Sequence, residues 1–156
     1  MIAYFSKTGN TKTIADQIQG TVGRDLFQVI TVDSYPAEYR ATTEAARKEL
    51  DNNYRPPLRD KVENMESYDV VFLGFPNWWA TMPMAMFTFL ESYDFSGKVI
   101  IPFCTHEGSG LGRSVTDLMR LAPNSEIRDG LAIRGSRAGN AHTEVRQWLN
   151  KVGFNS

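Results

Sequence analysis

Three hydroxyl residues crowd into Ser6-Lys7-Thr8-Gly9-Asn10-Thr11, with a glycine between the second and the third. Hydroxyls, backbone amides and a glycine that lets the chain turn, placed just before a helix, are donors that hold a phosphate without a dedicated arginine. The first N–H groups of a helix have no intrahelical acceptor, and the helix dipole adds partial positive charge there. A Thr or Asn helix cap in a polar turn accounts for one of these hydroxyls but not for three. Two nucleotide-binding patterns nearly match and fail. No glycine stands five residues before Gly9, and Asn10 follows it where a triphosphate loop needs lysine. Gly108-Ser109-Gly110-Leu111-Gly112 begins like a dinucleotide fingerprint, but Arg113 takes the place of the third glycine.

A second candidate is Pro76-Asn77-Trp78-Trp79, where two large aromatics follow an apolar run. On a loop such rings can stack on a planar ligand. Beside Met82, Met84, Met86 and Phe87 they can equally roof the core or form a dimer patch, and position favours the ligand for at least one of them. The third candidate is Thr105-His106-Glu107-Gly108-Ser109-Gly110. Cys104 beside it is the single cysteine, which excludes an intrachain disulfide framework. One Cys, one His and one carboxylate lack a fourth metal ligand, so no metal site is expected and Cys104 reads as a small buried hydrophobe. No residue is assigned a catalytic role.

The elements that position these segments follow from apolar patterning. Ile2-Ala3-Tyr4-Phe5 reads as a strand running into the hydroxyl-rich turn, and Ile14, Ala15, Ile18 and Val22 recur at the spacing of one helix face. Residues 26–32 read as a second strand, a helix is expected from Pro36 to about Leu50, and residues 51–67, with Pro56-Pro57, form an extended connection. Strands are expected at 69–75, 99–103 and 127–133, the last uninterrupted. Helices are expected at 84–92, 114–121 and 140–152. Alternating strands and helices, with strand cores apolar throughout, define an α/β fold: a parallel sheet covered on both faces. Ligands of such sheets bind beyond the carboxyl ends of the strands, where all three candidate segments lie.

The chain has 156 residues, with 17 Lys+Arg against 18 Asp+Glu. The length suits a single domain spanning 1–156, with no linker or repeat. A formal net charge of −1 gives no general grip on nucleic acid. Residues 70–90 carry no charge, yet Gly74, Pro76, Asn77 and Pro83 break them up, so no membrane span is expected. The start has no signal-peptide pattern, and a reducing, cytoplasmic setting is expected.

Taken together, Tyr4-Phe5-Ser6-Lys7-Thr8-Gly9-Asn10-Thr11, Gly74-Phe75-Pro76-Asn77-Trp78-Trp79 and Phe103-Cys104-Thr105-His106-Glu107-Gly108-Ser109-Gly110 resemble the three flavin-binding segments of flavodoxin-like proteins of the short-chain type. The resemblance spans the whole chain. It implies a three-layer, doubly wound, five-stranded parallel sheet in the order 2-1-3-4-5, with FMN at the switch between the first and third strands. Ser6, Thr8, Gly9, Asn10 and Thr11 would hold the FMN phosphate, with Lys7 contributing mainly backbone. Pro76, Asn77, Trp78 and Trp79 would border the isoalloxazine, and Thr105, His106, Glu107, Gly108 and Ser109 would cover its pyrimidine side and the ribityl chain. The expected role is electron transfer to a redox partner protein, by a monomer or weak homodimer. Flavodoxins of the carrier type are typically strongly acidic, whereas this chain is nearly neutral and has basic residues at Arg128, Arg134 and Arg137. That departure leaves open an FMN-dependent NAD(P)H:quinone oxidoreductase. A cofactor-free, flavodoxin-like interaction module is the third reading.

Overall fold

Residues 1–154 are described by a computed structural model. Among them strands and helices alternate: β1 (Ile2–Tyr4), α1 (Asn10–Val22), β2 (Leu26–Gln28), α2 (Tyr39–Asp51), β3 (Val70–Pro76), α3 (Met84–Glu91), β4 (Val99–His106), α4 (Ser114–Leu121), β5 (Glu126–Ile127), β6 (Leu131–Arg134) and α5 (His142–Lys151). Short 3-10 turns at Met65–Ser67 and Gly135–Asn140 complete the description. Among the described residues no helix is long and apolar enough to cross a membrane.

Every strand pairing in the sheet is parallel, in the order β2-β1-β3-β4-β5, with β6 also on β4. This is the expected 2-1-3-4-5 arrangement, because β5 and β6 occupy one strand position in two pieces. Side chains alternate across the pleat. Ile2, Tyr4, Phe72, Ile101 and Phe103 join α1 and α5 in one apolar layer. Ala3, Phe5, Val71, Leu73, Phe75 and Ile100 join α3 and Leu118 of α4 in the other. Burial on both faces is why these strands read as continuous apolar runs.

The fifth position is not the uninterrupted strand expected over 127–133. Val99 pairs with Glu126, whereas Phe103 pairs with Leu131, so one extra residue is accommodated between them. The cause lies in β4. Val99 donates its N–H to Asp69 on the β3 side, and the carbonyl of Ile100 accepts from Arg128 on the other. Alternation along the strand therefore turns Pro102 towards the fifth position, where it has no N–H to offer the ladder. The break falls at residues 128–130, and Gly130 lies against Pro102.

Elsewhere the differences are at element ends. β2 stops at Gln28 rather than 32, and the chain beyond it is bridged by the extended connection, with Thr31 opposite Leu58. α5 starts at His142 because Gly135–Asn140 takes the tighter turn.

Gly74 of β3 sits directly opposite Phe103 of β4. A Cβ on Gly74 would fall 2.1 Å from the Phe103 ring, which is impossible without moving that ring out of the α1/α5 layer. Gly74→Ala is expected to destabilise the fold by about 1–3 kcal/mol, the usual penalty for overpacking. Urea unfolding checks this: the midpoint falls at unchanged slope, and Phe103→Leu in the same chain recovers part of the loss. An unchanged midpoint would contradict the tight contact.

Candidate cofactor site at the carboxyl edge of the sheet

The loop from β1 to α1 is shaped from within. Gly9 caps the helix with φ +98°, a left-handed conformation that favours glycine and offers no side-chain cap of its own. Ser6 Oγ accepts from the N–H groups of Gly9 (3.2 Å) and Lys12 (3.3 Å). Thr13 Oγ1 donates back to the Gly9 carbonyl at 2.9 Å. The N–H groups of Thr8, Asn10 and Thr11 donate to no protein acceptor among the described residues. They form, with the exposed Thr8 hydroxyl, a set of donors at the positive end of α1. Thr11 is only 1% exposed, and its hydroxyl shares a 2.8 Å hydrogen bond with that of Thr105. That bond ties the first loop to the end of β4.

After β3 the chain makes a tight hairpin turn. Trp78 and Thr81 exchange backbone hydrogen bonds (2.9 and 3.3 Å), and Trp79 and Ala80 between them have φ of +56° and +72°. Two successive positive φ values are the signature of a type I′ turn, which normally recruits Asn and Gly. The two tryptophans part company here. Trp78 packs edge-on against Phe5 and Tyr35, with ring centroids 5.2 and 5.1 Å away, and so belongs largely to the core. Trp79 is 45% exposed. Its indole N–H donates to the Thr43 carbonyl of α2 at 2.9 Å, and the Arg47 guanidinium lies 5.1 Å from its ring centroid.

Asn77 fastens the second loop to the third. Its Nδ2 donates to the Gly110 carbonyl (2.7 Å), its Oδ1 accepts from Ala80 N–H (2.9 Å), and its own N–H donates to the Thr105 carbonyl (2.8 Å). In the third loop, Gly108 N–H donates to His106 Nδ1 at 2.9 Å, which leaves the proton of the neutral ring on Nε2. Burial first, then the Arg134 charge, hold the His106 pKa below its usual value. Arg134 also donates to the Glu107 carbonyl at 2.9 Å. Burial pushes the Cys104 thiol up to about 12, so it is no nucleophile near neutral pH.

These three loops open onto one pocket of about 560 Å³. Lys7, Thr8, Asn10 and Thr11 line it from the first loop, Pro76, Asn77, Trp78 and Trp79 from the second, and Thr105, His106, Glu107 and Ser109 from the third. Ser6, Gly9 and Gly108 are not on its wall; Ser6 and Gly9 shape the first turn behind it, and Gly108 orients His106. The sequence reading missed Ala80 and Gly135, and above all an entire wall formed by Ala37 and by Tyr39, Thr42, Thr43 and Ala46 of α2. The last four recur at i, i+3, i+4 and i+7, so they share one helix face. Mostly small and polar, that face carried no hydrophobic signal.

An anion cradle and an aromatic turn facing one cavity, at the point where an open parallel sheet changes winding direction, define a site for a flat, phosphate-bearing cofactor. A flavodoxin family model matches residues 1–152, and the chain belongs to that family. Flavodoxin 1 of Escherichia coli K12 is 27% identical over 106 residues, or 65% of this chain and 46% of that protein. The chain thus spans about half the length of the curated relatives it matches. A provisionally named flavoprotein from Bacteroides eggerthii DSM 20697 is 30% identical, with a TM-score of 0.86 over 99% of this chain and 97% of its own. A flavoprotein in complex with FMN from Lactobacillus acidophilus NCFM shares the fold, at 20% identity and a TM-score of 0.71 over 89% and 95%. FMN is the cofactor that this family implies. The unpaired N–H groups at the start of α1 fit its phosphate, and the pocket beside the Trp79 turn fits its ring.

The bond from Gly108 to His106 needs an unprotonated Nδ1. A depressed folded-state pKa means that the unfolded chain takes up the proton more readily, so the stability contributed by neutral His106 is complete above its ordinary value of about 6.5 and is lost as pH falls through the folded value. An NMR titration is expected to give a His106 midpoint below about 6.5, with Gly108 amide exchange accelerating through the same midpoint. A midpoint at or above the ordinary value would sink this account.

Proposed function

We propose that this chain binds FMN in the pocket described above and carries electrons through it to a protein partner, as flavodoxins do. The observation that carries the reading is that one cavity has unpaired helix-terminal donors at one end and an exposed tryptophan on a strained turn at the other. The family assignment and the FMN complex of the Lactobacillus acidophilus neighbour support it.

In this reading the N–H groups of Thr8, Asn10 and Thr11, with the Thr8 hydroxyl, hold the phosphate. Ser6 and Gly9 keep the loop in shape, and Thr11 acts through its backbone, because its side chain is spent on Thr105. Trp79 covers the ring. Its own N–H and carbonyl, which make no protein hydrogen bond among the described residues, are the backbone groups available to the N5 edge. His106 Nε2, Glu107 and Ser109 border the pyrimidine side. FMN, when bound, supplies the one- and two-electron chemistry; the protein contributes binding, orientation and electrostatics.

Titrating the apoprotein with FMN and with riboflavin tests the assignment. Thr8→Ala removes one hydrogen bond to a charged group, about 1.5–3 kcal/mol, and is expected to weaken FMN binding about tenfold or more while leaving riboflavin unchanged. Equal losses for both ligands would move the phosphate elsewhere, and no saturable binding of either by the wild type would leave the cofactor-free module.

A second reading, an NAD(P)H-dependent reductase of quinone-like acceptors, is favoured by one specific observation. Tyr39 on the α2 wall is 74% exposed and Trp79 is 45% exposed, so two aromatic rings at the edge of the pocket face solvent. Steady-state NAD(P)H oxidation with a quinone separates the two. The carrier reading expects no turnover by the FMN-loaded chain until a partner reductase is added, and turnover by the chain alone would select the enzyme.

A further inference from the structure

The turn that presents Trp79 is anchored by a helix that contributes nothing to the pocket wall. Asp117 of α4 is 9% exposed and lies beneath the turn. Thr81, the residue that closes the turn, donates its Oγ1–H to Asp117 Oδ2. The other oxygen, Oδ1, receives Arg120 Nη2 at 3.2 Å, and Arg113 Nε lies 3.6 Å from Oδ2. Just before the same helix, Arg113 N–H donates to the Ala80 carbonyl at 2.8 Å. Two consecutive turn residues are thus tied to one end of α4.

Such ties matter because of the backbone between them. Trp79 and Ala80 both hold positive φ without being glycine or asparagine. A conformation of that kind costs about 1–3 kcal/mol per residue and persists only where the surroundings over-determine it. Released, the pair relaxes towards negative φ, which rotates the Trp79–Ala80 peptide and swings the indole away from Thr43. A carboxylate is a suitable anchor: one oxygen accepts from Thr81 with Arg113 of the preceding cap nearby, while the other accepts from Arg120 on its own helix.

We propose that Asp117 is a positioning residue for the site: through Thr81 it fixes the turn that sets the orientation of Trp79 and of the backbone groups beside it. Its effect on flavin rests on the FMN reading above. Its effect on Trp79 does not.

The test compares Thr81→Val, Thr81→Ser, Asp117→Ala and Asp117→Asn in the full chain. Trp79 is followed by its indole N–H resonance and hydrogen exchange, flavin by titration with riboflavin and FMN and by the visible circular dichroism of the complex. Thr81→Val and Asp117→Ala are expected to shift the Trp79 resonance and to speed its exchange by about tenfold or more, as expected for loss of a hydrogen bond of about 1.4 kcal/mol. They should weaken both flavins by one common factor and alter the dichroism, because the ring end is disturbed and the phosphate end is not. Thr81→Ser and Asp117→Asn, which keep donor and acceptor, should restore wild-type behaviour. If Asp117→Ala fails to fold, Thr81→Val decides. A folded Thr81→Val chain that loses thermal stability but keeps the Trp79 resonance, its exchange and the flavin affinities overturns the proposal. If the wild type binds neither flavin, the FMN reading fails, while the indole measurements still decide the role of Asp117.

Discussion

Seven consecutive residues of β3, Val70–Pro76, lie in parallel register with Val99–Thr105 of β4, and the loops of the site inherit their height from this ladder. Both strands end at one level, so the Trp79 turn and the His106 loop leave the sheet side by side. Asn77 N–H extends the ladder by one more bond, onto the Thr105 carbonyl. The hydroxyl of Thr105 then reaches Thr11 at the start of α1. Three loops that are distant in sequence are thereby tied together through groups that are buried or paired. The ladder tolerates little change at its middle, where the absence of a side chain at Gly74 leaves room for Phe103.

The first loop presents unpaired N–H dipoles at the start of α1, an arrangement suited to an anion. Aligned N–H groups at a helix start are worth about 0.3–1 kcal/mol each way for a nearby charge at an exposed site, and more when partly buried. They carry no mobile side chain to be ordered. Of the basic residues that stand out in the sequence, two are paired away from the pocket and one backs its third loop. Arg128 binds Glu126 and the Val152 carbonyl, Arg137 pairs with Glu144, and Arg134 supports the third loop through the Glu107 carbonyl. A chain of net charge −1 projects little long-range field.

Much of this was legible in the sequence because burial writes a strong signal. Val71-Phe72-Leu73 and Ile100-Ile101 are apolar on both faces, and Ile14, Ala15 and Ile18 mark one side of α1, so the alternation of strands and helices could be read directly. The hydroxyl-rich loop was legible for a different reason: its residue types have few other uses at a strand end. What escaped depended on partners distant in sequence. Pro102 breaks a strand some 25 residues later, and only the pairing of β4 with the fifth position reveals it. The face of α2 that walls the pocket is built from threonines, an alanine and an exposed tyrosine, which lack the apolar periodicity of a core helix. Adjacent tryptophans could not be told apart until the turn put one against Phe5 and Tyr35 and the other against α2.

The turn itself shows how a site can be more rigid than its local sequence suggests. Trp79-Ala80 has no intrinsic preference for two positive φ values, so the conformation must be imposed from outside. It is gripped from the end of β3 by Asn77, from α2 by the Thr43 carbonyl and from the start of α4 by Asp117 and the N–H of Arg113 just before it. A glycine in place of Ala80 would relieve the strain but would also free the turn to take other conformations, and the indole with it. A residue that must be forced into shape by three separate elements reports on all of them: a shift of α2 or α4 reaches the ring position directly. The orientation of Trp79 is therefore a property of the packed fold on that side of the sheet, rather than of the loop that carries it.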